Sequence, residues 1–148
     1  MRLILTKQTN LYQKNEEREK NWYLINAKNQ IIGRLASKIT FYLIGKGKKD
    51  FISHLDRGDN VIVVNAGYIK TTGRKIDQKE YQSFSGYPGG LKKISLKELL
   101  SKKPEKVIHH AVWGMLPKNK LRRERIKRLF VFKDEKHPFQ DKDLIIIK

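Results

Sequence analysis

"WYLINAKNQIIGRLASKITFYLIGKGKKDFISHLDRGDNVIVVNA", residues 22–66, is the stretch that decides the fold. It opens with "WYLINA" at 22–27, a short apolar run of strand character that "KNQ" breaks. In "GRLASKITFYLIGK" the residues Leu35, Ile39 and Tyr42 with Leu43 recur every three to four positions. One face of a helix is therefore apolar, and Gly45 stands where its C-cap belongs. The basic loop "GKGKK" follows, and then "HLDRGD", which is turn chemistry. There the aspartates are expected to accept local backbone hydrogen bonds and Gly58 to take a positive φ. "VIVVNA" at 61–66 is a near-continuous β-branched run, as in a strand covered on both faces. Strand, helix, strand predicts a βαβ unit whose right-handed crossover leaves the two strands parallel.

Downstream, "SFSGYPGGLKK" at 83–93 packs three glycines and a proline beside Tyr87, Lys92 and Lys93. "SLKE" at 95–98 has capping-box spacing, in which Ser95 and Glu98 satisfy each other's backbone donors. Pro104 suits the first turn of a helix whose stripe is Val107, Ile108, Ala111, Val112 and Met115, with Pro117 as its stop. "KNKLRRERIKR" at 118–128 holds seven basic residues, one acid, and only Leu121 and Ile126 as apolar members. A helix there gains little from burial, so its stability is expected to come partly from what it binds. "LFVF" and "LIIIK" read as two further strands.

The chain of 148 residues carries 33 Lys and Arg against 15 Asp and Glu, a formal net charge of +18. Length predicts one domain, and the charge calls for a polyanionic partner, of which nucleic acid fits better than an anionic membrane. The basic residues are spread along the chain, and no apolar run approaches a membrane span. The absence of cysteine removes disulfide frameworks and thiolate metal sites. The start has only Leu3, Ile4 and Leu5 as an apolar run, with Glu16, Glu17 and Glu19 nearby, so residues 1–21 read as an arm rather than a targeting segment.

Enzyme motifs fare poorly. Gly90 is followed by Leu91, not by the Lys-Ser/Thr of a P-loop, and the Gly45–Gly47 cluster lacks the third glycine of a dinucleotide fingerprint. His54, Asp56 and Asp59 form the best catalytic candidate, as acid, base or metal ligands, against the plainer reading of a carboxylate-rich turn. His109 and His110 are adjacent and so do not share a helix face as a metal pair would; packed, hydrogen-bonded rings are expected. The glycine loop is either a plain turn or a place where backbone and RNA approach closely, with Tyr81, Phe84 and Tyr87 stacking on bases or packing beneath it. In the 118–128 segment a lone Glu124 faces seven cations, which favours phosphate contact over simple solvation.

Several motifs then coincide in order: "WYLINA", "IIGRLAS", "HLDRGD", "VIVVNA", "TTG", "SGYPGGLKK", "VIHHAVWGMLPKNKL" and "FVFKDEKHPF", from Trp22 to about His137. In this series the chain resembles the L-thirteen family of large-subunit ribosomal proteins, with Gly114-Met115-Leu116-Pro117 the most specific element. The resemblance implies a single three-layer α/β/α domain over residues 22–148, with a small, mostly parallel sheet of about four strands and basic extensions. It implies a structural role on large-subunit rRNA, among neighbouring large-subunit proteins, in subunit assembly, in the cytoplasm of a bacterium or in an organelle matrix. No enzymatic activity, cofactor, metal, membrane or small-molecule substrate is expected; an RNA-acting metal enzyme built on His54, Asp56 and Asp59 is the alternative. The RNA-binding residues expected are Lys46, Lys48, Lys49, Arg74, Lys75, Tyr87, Gly89, Gly90, Lys92, Lys93, Lys118, Lys120, Arg122, Arg123, Arg125, Lys127 and Arg128, with the basic helix as main anchor. The chain departs from the family pattern at Phe84, Trp113 and Arg122, where histidine, lysine and glycine are common.

Overall fold

The computed structural model describes residues 20–49 and 51–147. Strand β1 (Trp22–Asn26) is followed by helix α1 (Ile32–Ile44) and strand β2 (Asn60–Val64), and β1 and β2 pair in parallel with Tyr23 opposite Val61 and Ile25 opposite Val63. The expected βαβ unit is therefore present. Val61, Ile62, Val63 and Val64 are all buried, so both faces of β2 are covered, which is why the sequence there does not alternate. Strand β5 (Leu129–Val131) adds to β2, and β6 (Leu144–Ile147) adds to β1, both in parallel, giving the order β5-β2-β1-β6. The result is a single α/β domain with a four-stranded parallel sheet and helices packed around it.

Helix α1 buries Leu35, Ala36, Ile39, Leu43 and Ile44. Each fully buried Leu or Ile contributes about 1.5–3 kcal/mol. Gly45 ends the helix at φ 81°, ψ 27°, its N–H donating to the carbonyls of Phe41 and Tyr42. A short helix α2 (Lys75–Gln78) leads into strand β3 (Glu80–Phe84), strand β4 (Leu91–Ser95) and helix α3 (Leu96–Lys102). Ser95 Oγ accepts the Glu98 N–H at 3.3 Å, which is half of the expected capping box. The other half is not made, because the Glu98 carboxylate pairs with Lys102 Nζ at 2.6 Å. Helix α4 (Pro104–Met115) starts on its proline and packs Val107, Ile108 and Val112 inward. Met115 departs from the expected stripe: it is 42% exposed, and Leu116, just past the helix, is buried instead.

Two differences from the sequence reading concern the basic parts. Residues 83–93 are the end of an antiparallel hairpin, β3 and β4, that forms its own two-stranded sheet apart from the central one. The basic helix α5 (Leu121–Ile126) has six residues, with Lys118–Lys120 in a turn before it, instead of running from 118 to 128.

Candidate nucleic-acid interface

The 51–59 loop explains what the charged residues beneath it do. Arg128 grips Asp56 with both terminal nitrogens, Nη2 to Oδ1 at 2.6 Å and Nη1 to Oδ2, while Nη2 also donates to the Leu43 carbonyl at 3.2 Å. Arg125 places Nε 3.6 Å from Asp56 Oδ1 and is 1% exposed. Burial alone would raise the Asp56 carboxyl, but hydrogen bonds from Arg128, with its charge and those of Arg125 and Lys20, hold it below the ordinary 3.8. Gly58 is needed here for space and not for a positive φ: a Cβ would lie 1.8 Å from the Leu43 carbonyl oxygen and 2.7 Å from Arg128 Nη2. Asp59, 2% exposed, accepts the Asn21 N–H at 3.0 Å and Lys48 Nζ at 2.6 Å. Both carboxylates thus bind partners distant in sequence, not local backbone.

This arrangement gives the alternative catalytic site no support. Asp56 and Asp59 are each held by cations, and no group of three His, Asp or Glu side chains suited to a metal occurs among the described residues. His109 and His110 both lie outside the core, and neither ring makes a hydrogen bond among the described residues, so the expected packed, hydrogen-bonded rings are met only by partial packing. Partial burial, with His110 beside it, pushes His109 below its ordinary 6.5, and the His110 ring lies 5.4 Å from that of Tyr81.

Arg125 and Arg128 therefore depart from the expectation of a phosphate-facing helix: both are turned inward and join the 51–59 loop to the domain. Arg122 is half-buried, its guanidinium 4.1 Å from the centre of the Trp113 ring and donating to the Trp113 carbonyl. Two of the departures from the family pattern thus meet each other. Lys127 pairs with Glu124 at 3.0 Å and Lys48 with Asp59, so these cations are partly neutralised within the fold. Lys118, Lys120 and Arg123 are exposed and have no acidic partner among the described residues; the same holds for Lys46, Lys49, Arg74, Lys75 and Lys92.

The hairpin is built to project side chains. Its cross-strand pairs set Phe84 opposite Leu91, Tyr81 opposite Ile94 and Gln82 opposite Lys93. Successive residues point to opposite faces, so Lys92 and Lys93, adjacent in sequence, lie on opposite sides of the ribbon. Lys93 is 3.8 Å from Glu80, and both are exposed, a pairing of small energetic weight. Tyr81 packs half-buried against Leu96, Leu99 and Val107, whereas Phe84 is 66% and Tyr87 76% exposed. The turn glycines answer to the turn itself. Gly86 and Gly89 hold φ of 90° and 74°, and a Cβ on Gly90 would meet Ser85 Oγ at 2.0 Å and the Tyr87 carbonyl oxygen at 2.9 Å.

Sequence reasoning missed the inward turn of Arg125 and Arg128 because their partner, Asp56, lies about seventy residues earlier. The signal available was the "DRGD" turn itself, in which two carboxylates flank a single arginine, Arg57.

Exposed cations on a loop after α1, on the hairpin and before α5, with bare aromatic rings at the hairpin tip, are what an RNA-facing surface requires. Residues 20–138 match the family described as Ribosomal protein L13. The chain is 53% identical over 122 residues to "Large ribosomal subunit protein uL13" of Chlorobium phaeobacteroides (strain BS1), covering 82% of this chain and 81% of that protein. It is 50% identical over 127 residues to the protein of that name from Thermoanaerobacter sp. (strain X514), 86% and 89% of the two chains, and 48% identical over 127 residues to that of Thermotoga petrophila, 86% and 85%. With the family match spanning most of the described fold, the chain belongs to the ribosomal protein L13 family.

Proposed function

We propose that this protein is a structural constituent of the large ribosomal subunit, holding rRNA through the exposed cations around α1, the hairpin and α5 and supporting subunit assembly beside neighbouring proteins. The family match over residues 20–138 carries the reading. The charge supports it: with 33 Lys and Arg against 15 Asp and Glu, the net +18 is an excess that no ion pairing within the chain can remove. The role is structural and not enzymatic, as befits the family.

Residues 22–148 act in this reading as the rRNA-binding unit and 1–21 as an arm; the arm's first nineteen residues lie outside the described ones. The phosphate contacts come from Lys46, Lys49, Arg74, Lys75, Lys92, Lys118, Lys120 and Arg123, with Lys48, Lys93, Arg122 and Lys127 contributing through charge they share with internal partners. Tyr87 supplies a face for base stacking, and Gly89 and Gly90 hold the turn that presents it. Arg125 and Arg128 are left out, since burial removes their guanidiniums from the surface.

Sedimentation of the tagged protein through a sucrose gradient tests the assignment. It travels with large subunits and the whole ribosomes that contain them; recovery at the top of the gradient or with small subunits alone overturns it.

A further inference from the structure

We propose that the cleft between α1, α4 and the foot of the hairpin receives one unstacked ribonucleotide of the bound strand, its base beside Tyr81 and His110 and its phosphate at Lys75 and Lys79. The inference rests on the rRNA-binding reading above and adds a specific site to it.

The cleft has a volume of about 440 Å³, within the ~300–1,000 Å³ of sites for small organic ligands. No Asp or Glu lines it, while Lys75 and Lys79 both do. The Tyr81 and His110 rings stand 5.4 Å apart at 33°, and Lys79 Nζ is 5.3 Å from the Tyr81 ring centre, so flat π-faces and cations converge on one wall. That pairing suits a base with its phosphate. Thr71 Oγ1, also in the lining, is enclosed and has no hydrogen-bond partner.

Two glycines provide an independent observation. Gly33 in α1 and Gly114 in α4 both line the cleft, neither has a positive φ, and a Cβ on either would meet nothing within 4 Å. Nothing in the free protein requires glycine at these helical positions, where it is a poor helix former. A ligand that comes close to the two helices does require it. A duplex keeps its bases stacked inside and offers no single ring to a cleft of this size, so the occupant comes from a loop, bulge or single strand.

The test uses the full chain, a large-subunit rRNA fragment, and Gly114→Leu and Gly33→Leu, two variants that fill the cleft from opposite sides without changing charge. Circular dichroism first establishes that each remains folded, as expected for better helix formers at open positions. Loss of one stacked base corresponds to about 5- to 150-fold weaker binding, and loss of its phosphate contact at Lys75 and Lys79 lowers the magnitude of the salt slope by up to about 0.7. The Gly33 and Gly114 amide resonances of the parent shift with a short single-stranded adenosine oligomer and do not shift with a blunt RNA duplex. Binding of both leucine variants as tight as the parent's overturns the site while leaving rRNA binding intact, whereas a parent that fails to bind the fragment at all refutes the broader reading. Adenosine monophosphate binding as tightly as the oligomer also overturns it, by assigning the cleft to a free nucleotide. So does unchanged RNA affinity combined with exclusion of the variants from large subunits, which gives the cleft to a neighbouring protein.

Discussion

Replacing Arg128 by glutamine separates cations that hold the fold from cations that face RNA. The Arg128 side chain is 9% exposed and makes two hydrogen bonds to Asp56 and one to the Leu43 carbonyl. Removing one partner of a buried pair costs about 3–5 kcal/mol. Asp56 keeps 22% of its side-chain exposure and a contact with Arg125 at 3.6 Å, so water and the second arginine offset part of that. About 2–4 kcal/mol is the expected loss, a large share of the ~5–15 kcal/mol that holds a domain together. It corresponds to a fall in Tm on the order of 5–15 °C. Arg123→Gln, only five residues distant, should leave Tm within about 2 °C, because exposed substitutions stay within about 0.5 kcal/mol. The assays are a melting curve and an rRNA titration across salt for each variant. Arg128→Gln melts early with its salt slope unchanged; Arg123→Gln melts with the parent and loses about 0.7–0.9 of slope. An Arg128→Gln protein that melts with the parent while its salt slope falls would refute the inward placement of this arginine.

Acid should act on the same network. With its folded value below the unfolded ~3.9, Asp56 contributes stability that is fully present above about pH 4 and lost as pH falls through the folded value. Urea midpoints measured down that range should fall less steeply in Asp56→Asn, already weaker at neutral pH, and parallel curves would count against the pair. Gly90→Val forces its Cβ onto Ser85 Oγ and the Tyr87 carbonyl, at about 1–3 kcal/mol. Because the hairpin is a separate sheet, hydrogen exchange should quicken at residues 80–95 and stay slow in β1 and β2; uniform loss of protection would show that the hairpin is integral to the core.

The βαβ unit was legible because its signals are local: the Leu35–Ile39–Leu43 stripe, the Gly45 cap and the unbroken β-branched run Val61–Val64 of β2 each need only their neighbours. The β3–β4 ribbon was not. "EYQSF" and "LKKIS" are exposed at most positions, so the alternation that marks a half-buried strand is absent, and only the glycine turn between them shows. The parallel pairing of β6 with β1, across about 120 residues, leaves no trace that a periodicity reading can detect. Arg125 and Arg128 were misplaced for a related reason. Residue type predicts exposure for arginine, and only the distant Asp56 overrides it. Within the candidate interface, the exposed lysines and Tyr87 stood out in the sequence by type and clustering. The cleft did not, since Thr71, Tyr81 and Gly114 meet only after three separate elements have packed.

The most direct test of the central claim is the salt dependence of binding to a large-subunit rRNA fragment, compared between the parent and a Lys46→Gln, Lys92→Gln, Arg123→Gln triple variant. If roughly 6–10 phosphates are contacted, parent affinity should fall by about 10³–10⁵ between 50 and 200 mM salt, and the triple variant should lose about 2 to 3 from the magnitude of the slope while melting with the parent. A parent affinity that is flat with salt, or a triple variant whose slope equals the parent's, would contradict an rRNA interface built from these exposed cations.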